Sequence, residues 1–152
     1  MMGEYFLKTA MAMIGSLGFA VFFNIKGKKL LAIALGSAIC MMSYFFAFFH
    51  LQDKVFSILI GAILVSGIAE ITARIMKTPV IILLVPMVIP LVPGGDLYYS
   101  MRYFILGNTQ EFGISFQVML KEAAAIGFGI ILVSFLVQVI LKSRKYWMEI
   151  RK

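Results

Sequence analysis

The chain has one cysteine, one histidine and one tryptophan in 152 residues. A lone Cys40 leaves no intrachain disulfide to form. Cys40 and His50 together cannot supply the ligand spacing of a zinc site or a Cys–His nucleophile. Charge is scarce as well, at 14% of residues, where an ordinary soluble domain has about 25%. The acids Glu4, Asp53, Glu70, Asp96, Glu111, Glu122 and Glu149 stand singly. Lipid-modifying enzymes need clustered metal-binding acids or a histidine constellation, so an enzyme is not expected, nor a metal or cofactor. A small multidrug pump fits poorly too, because the first apolar segment has no acid beyond Glu4 at its very end.

Apolar residues are what the chain has in excess. They make up 62% of it, and the mean hydropathy is +0.99. A soluble domain of this length has no interior large enough to hide that surface. A soluble enzyme, a disordered chain and a disulfide-stapled secreted domain are therefore excluded, and a polytopic membrane protein remains. Five apolar segments predict an all-α membrane bundle, with spans at about 5–23, 30–49, 55–73, 79–106 and 114–141. A crossing takes about 20 helical residues, so residues 1–152 are expected to form one transmembrane domain with no soluble domain left over. The first segment lacks a short apolar core followed by a cleavage site and reads as a retained helix, not a signal peptide.

The formal charge of +7 reads as topology and not as a nucleic-acid face. Lys26, Lys28 and Lys29, then Arg74 and Lys77, then Lys142, Arg144, Lys145, Arg151 and Lys152 account for ten of the fourteen basic residues. With five crossings all three groups fall on one side. The positive-inside rule makes that side the cytoplasm. The expectation is a multi-pass protein of a bacterial cell membrane, N-terminus outside and C-terminus inside. The tail from Lys142 to Lys152, with Tyr146 and Trp147, reads either as an anchor facing anionic lipid or as a solvated tail. Small residues recur at Gly15 and Gly18, Ala32 and Gly36, Gly61 and Gly67, and Ala123, Ala125, Gly127 and Gly129. They let other backbones approach closely, and so predict that packing continues into a partner, a further copy or a different chain.

All four prolines lie in one stretch, at Pro79, Pro86, Pro90 and Pro93. Pro79 suits a first helical turn. Pro86 and Pro90 each remove a helical hydrogen bond, and Pro93-Gly94-Gly95 is expected to break the fourth helix. Asp96 then has the chemistry to cap a new helix over Leu97–Leu106. Pro79 to Gly94 is 15 residues, about 22 Å at 1.5 Å per residue, whereas the hydrocarbon layer is about 30 Å thick. A break at that depth cannot face lipid and must be buried or line a wet cavity. Discontinuous helices there form binding sites in transporters. Free N–H groups at Gly95–Tyr98 favour a carboxylate, Asp96 an ammonium group or a proton, and Tyr98 and Tyr99 offer hydroxyls. The competing reading is a turn on the outer surface with Asp96 only a cap.

The run Pro90-x-x-Pro93-Gly94-Gly95-Asp96-Leu97-Tyr98-Tyr99, entered from Lys77-Thr78-Pro79 and preceded by Glu70-x-x-x-Arg74, resembles the threonine/serine exporter family. More narrowly, it is similar to the small integral-membrane type that corresponds to the C-terminal half of the long exporters. The turn Phe22-Phe23-Asn24-Ile25 carries the same likeness, which spans essentially the whole chain. The resemblance implies a secondary exporter of threonine, serine or related small carboxylates, driven by an ion gradient. It also implies a larger exporter-type partner subunit carrying the other helical half. A non-transporting scaffold or assembly subunit is the alternative.

Other charges carry two readings each. Glu70 and Arg74 are spaced for an i,i+4 ion pair; they read as an interfacial salt bridge or as a gating, proton-exchanging carboxylate with its partner. Lys121 and Glu122 fall near the outer boundary and read as interfacial. Arg102, on the short helix after the break, reads as a contact for a leaving anion or as a solvated outer-surface residue.

Overall fold

A computed structural model of the chain describes residues 2–150, with the side chains of Met2, Arg144, Lys145 and residues 147–150 outside the description. The expected anchor in the basic tail therefore lies largely outside the described residues. The helices are α1 (Met2–Phe22), α2 (Lys28–Leu51), α3 (Lys54–Ile75), α4 (Val80–Val88, continued by a 3-10 turn over Ile89–Leu91), α5 (Gly94–Ile105) and α6 (Thr109–Ile150). Among the described residues there is no strand. Four helices among the described residues are long and apolar enough to cross a membrane, five if α4 and α5, bent by 61° at their break, count as one span.

Short turns set the up-and-down order. Gln52 turns left-handed at φ 53 after α2, and Asp53 caps α3, its carboxylate accepting from Phe56 N at 3.0 Å. Gly27 at φ 71 precedes α2, and Gly107 at φ 70 ends α5. Tyr5 of α1 meets Phe45 of α2 with ring centroids 4.9 Å apart. Gly36 of α2 faces Met87 of α4, and Gly61 of α3 faces Leu91 beside it. Lys26, Lys28, Lys29, Arg74, Lys77 and Lys142 consequently gather at one end of the bundle, termed the basic end. The α2–α3 turn and Lys54 mark the other.

Packing follows the small residues. Ile33, Cys40, Val65, Leu83 and Met87 are fully buried where α2, α3 and α4 meet. Ala125 and Gly129 face α3, and a Cβ on Gly129 would lie 2.9 Å from Ala62 Cβ. Ala123 and Gly127 point the other way and are not buried. Lys54 meets Glu122 while Ala62 meets Gly129, so α3 and α6 run parallel.

Two expectations need correction. The last helix is longer than 114–141: its 42 residues reach about 63 Å, roughly twice a hydrocarbon layer. Only the part from Glu122 onward runs beside α3; the earlier part pairs with α5, where Phe104 and Phe112 have ring centroids 5.4 Å apart. Nor does Asp96 cap a helix beginning at Leu97. The helix begins at Gly94, Pro93 occupies the cap position without a side-chain bond, and Asp96 sits inside the first turn. Glycine at both Gly94 and Gly95 lets the chain turn helical at once, so the carboxylate is left available for a different partner.

Candidate functional site

The partner is Lys54. Its Nζ lies 2.5 Å from Asp96 Oδ2 and 2.6 Å from Glu122 Oε1, so one ammonium serves two carboxylates from two helices. Lys54 is the first residue of α3, placed by the Asp53 cap with its long stem free to reach. Asp96 comes from the first turn of α5. Glu122 comes from the face of α6 that Ala125 and Gly129 press against α3. Glu122 is fully buried, whereas Lys54 is 45% and Asp96 26% exposed. Glu122 Oε1 has the Lys54 ammonium at 2.6 Å, while Oε2, equally buried, has no partner among the described residues. A buried carboxylate left so is costly.

These side chains line a cavity of about 200 Å³, with Tyr44, Pro90, Pro93, Gly94 and Gly95 among its walls. Drug-sized ligands take pockets of about 300–1,000 Å³, so this volume admits a small solute only. Its chemistry is mixed. The first N–H groups of a helix have no intrahelical acceptor; those of Gly95 and Asp96 are free among the bonds of the turn, while Leu97 N reaches Pro93 O at 3.0 Å. They face an anionic group, with the positive end of the α5 dipole behind them. Opposite stand two carboxylates and one ammonium, a net negative set that attracts a cation. Donors to carboxylate and acceptors for ammonium within one small space match a zwitterion.

Depth follows from packing. Leu91 meets Gly61, seven residues along α3 from Lys54, which is about 10 Å. The break after Leu91 therefore lies below the Lys54 end of the bundle and is flanked by α2, α3 and α6. Leu91 is buried at that level and Pro93 half-buried, whereas Val92, Gly94 and Gly95, which also line the cavity, are exposed; at membrane depth such peptide groups need water or a further chain over them.

Of the residues singled out from sequence, Pro93, Gly94, Gly95 and Asp96 come together at the cavity. Tyr98 and Tyr99 do not line it. They lie exposed along α5, their rings edge to face, with Tyr99 stacked on Tyr103. Glu70 and Arg74 form the expected ion pair at 2.8 Å, and Arg74 Nη1 also donates to Glu70 O at 2.8 Å. They stand near the basic end, sixteen residues down α3 from Lys54, about 24 Å away. Lys121 and Glu122 separate: Lys121 is exposed, whereas Glu122 is buried against α3 at the Lys54 end of the bundle. Sequence reasoning missed Lys54, Tyr44 and Glu122. For Glu122 a signal existed, because it shares the 122/125/129 face with Ala125 and Gly129. An acid on the packing face of an apolar helix is an intramembrane acid. Among the described residues no three His, Cys, Asp or Glu side chains are grouped to hold a metal.

A family model described as Threonine/Serine exporter, ThrE, matches residues 8–136. No curated protein matches the chain, and no solved structure does.

Proposed function

The chain belongs to the threonine/serine exporter family, and from that premise we propose that it is one half of a secondary exporter of small hydroxy amino acids. It binds them in the cavity of Lys54, Asp96 and Glu122. The solute's carboxylate takes the Gly95 and Asp96 N–H groups and its ammonium takes Glu122, with Asp96 sharing the charge. Tyr44 is placed for the side-chain hydroxyl. One observation carries this reading: a fully buried carboxylate lining a small cavity, with one oxygen unpartnered and the other sharing a single ammonium with Asp96. A cation completes it, either the solute's ammonium or a proton, and exchange of the one for the other is a route by which an ion gradient drives antiport. Glu70 has the Arg74 guanidinium to itself, whereas Glu122 shares one ammonium with Asp96, so the coupling role falls to Glu122.

The other half is a larger exporter-type subunit in the same bacterial cell membrane. Support comes from the open small-residue positions: a Cβ at Gly15, Gly18 or Gly67 would meet nothing within 4 Å, so another backbone can approach there. The same openness is compatible with further copies of this chain and with a scaffold role.

The test is threonine, serine and dicarboxylate flux in proteoliposomes holding the chain with and without the larger subunit. Threonine flux is expected from the pair, lowered about tenfold or more by Glu122→Gln, since one charge-assisted hydrogen bond is worth about that factor. Glu70→Gln, outside the cavity and still bound through its backbone carbonyl by Arg74, is expected to lower flux less than Glu122→Gln does. Unchanged flux on Glu122→Gln and on Gly94→Val rejects the site. Dicarboxylate flux without threonine flux rejects the zwitterion. Loss of partner abundance with unaltered rate per complex favours the scaffold.

A further inference from the structure

Helix α4 walls two cavities, one toward each end. Besides the 200 Å³ cavity, a second of about 580 Å³ opens at the basic end between the α1–α2 turn and α4. Asn24, Lys26 and Lys29 line it on one side and Ile82, Val85 and Pro86 on the other. At roughly 30 Å³ per water, the larger space admits a solute with its hydration shell. The smaller admits one stripped of most of it.

Three features of the larger cavity point to a ligand. Lys29 is half-buried and held in place by donating to Thr78 Oγ1 at 3.0 Å. Among the described residues neither Lys26 nor Lys29 has a carboxylate partner. Pro86 has no N–H, so the carbonyl of Ile82 loses its helical donor. Both residues line the cavity, and a carbonyl so freed at membrane depth needs a donor there. Pro90 does the same to the carbonyl of Pro86, and Pro90 lines the smaller cavity. Ile82, Pro86 and Pro90 are four apart and share one side of α4. Both freed carbonyls therefore belong to residues of the larger cavity, about 6 Å apart along the helix, and Pro90 one turn on lines the smaller cavity.

We propose that the cavity at the basic end is a loading site for small amino-acid zwitterions, in which Lys26 and Lys29 receive the carboxylate and the proline-freed carbonyls of α4 receive the ammonium. This inference rests on the reading of the Lys54 cavity as the transport site and places an earlier station before it. The solute enters hydrated between two lysines that lack an anion. It then sheds water as it passes along α4 to the smaller cavity.

The experiment uses the full chain with its partner subunit in vesicles whose basic end faces the bath, and follows labelled threonine. Lys26→Gln with Lys29→Gln is expected to raise the half-saturating threonine concentration about tenfold, the worth of one charge-assisted hydrogen bond. The maximal rate is expected to change less than twofold, and Lys26→Arg with Lys29→Arg to restore affinity. Lys28→Gln, exposed and not lining the cavity, serves as control. A second arm labels Val85→Cys with a membrane-impermeant maleimide. Native Cys40 is fully buried, so background is low, and saturating threonine is expected to slow labelling about fivefold or more. Equal effects of Lys28→Gln and the double variant would mean surface charge alone and overturn the proposal. So would an affinity defect present in vesicles with anionic phospholipid and absent in purely zwitterionic ones, which would assign the cavity to a lipid headgroup. If Glu122→Gln leaves flux intact, the transport-site reading fails. If Glu122→Gln abolishes flux while the lysine variants and labelling are indifferent to threonine, only the loading site fails.

Discussion

Replacing Lys54 by methionine removes the one cation that Asp96 and Glu122 share. By helix rules the change is mildly favourable, since a lysine at the first residue of α3 sits at the positive end of the dipole. Removing it there gains about 0.3–1 kcal/mol. The ion pairs set the opposite sign. Deleting one partner of a buried pair costs about 3–5 kcal/mol, because the other charge is stranded. Glu122 is fully buried, but Lys54 is 45% exposed, so screening puts the loss at the low end, about 3 kcal/mol. For a chain of this length that is a fall of about 6–12 °C in Tm. Glu122→Gln keeps the Lys54–Asp96 pair and replaces a buried charge, one of whose oxygens has no partner, by a neutral amide that still accepts from Lys54. Its loss is expected to stay within about 1 kcal/mol. The double variant then has no buried charge to strand, and is expected to recover about 2 kcal/mol relative to Lys54→Met alone. Thermal unfolding of the four proteins in one detergent reads the cycle. Strict additivity, or a Glu122→Gln variant less stable than Lys54→Met, would refute the claim that Lys54 neutralises Glu122.

Two stability contrasts follow from packing. Gly129→Ala sets a Cβ 2.9 Å from Ala62 Cβ and 3.3 Å from the backbone N of Ile63, an overpacking worth about 1–3 kcal/mol of destabilisation. Gly127→Ala, two residues away with nothing within 4 Å, is expected to be neutral or to gain up to about 1 kcal/mol of helix propensity; unfolding midpoints that move together would contradict the parallel α3–α6 contact. Asp53→Ala loses the cap that accepts from Phe56 N at 3.0 Å, about 1 kcal/mol, and hydrogen exchange is expected to rise in the first turn of α3 and not at Ile75.

Sequence made the spans and their order legible, because apolar runs, turn glycines and basic links are local signals. It also made the break legible, since Pro93-Gly94-Gly95 leaves a helix few choices. The constellation was harder to see for a reason of distance. Lys54, Asp96 and Glu122 are separated by 42 and 26 residues, and each alone has an ordinary interfacial explanation. Depth estimated from a single helix end put Glu122 beside Lys121 at the boundary. Which face of α6 turns inward decides its burial, and the small residues carry that information only when read four apart. Ala125 with Gly129 is one stripe; Ala123 with Gly127 is the opposite one. The tyrosines failed for a similar reason. Nearness in sequence put Tyr98 and Tyr99 beside Asp96, but helical rotation turns Tyr98 away, and Tyr99, most of a turn further along α5, stacks on Tyr103 instead.

The site cannot be separated from the packing that surrounds it. Ala62 and Gly129 let α3 and α6 approach closely, and because the two helices run parallel, the same approach seven or eight residues earlier brings Glu122 within 2.6 Å of Lys54. Larger residues at that crossing would hold the helices apart, admit water, and weaken the electrostatic pull between the charges. Asp96 joins only because the chain turns helical at Gly94, two residues before it, aiming its carboxylate back at α3. A single ammonium at the start of α3 therefore ties the bent α4–α5 segment to the long helix α6, and anything that competes for those carboxylates acts on the bend as well as on the charge.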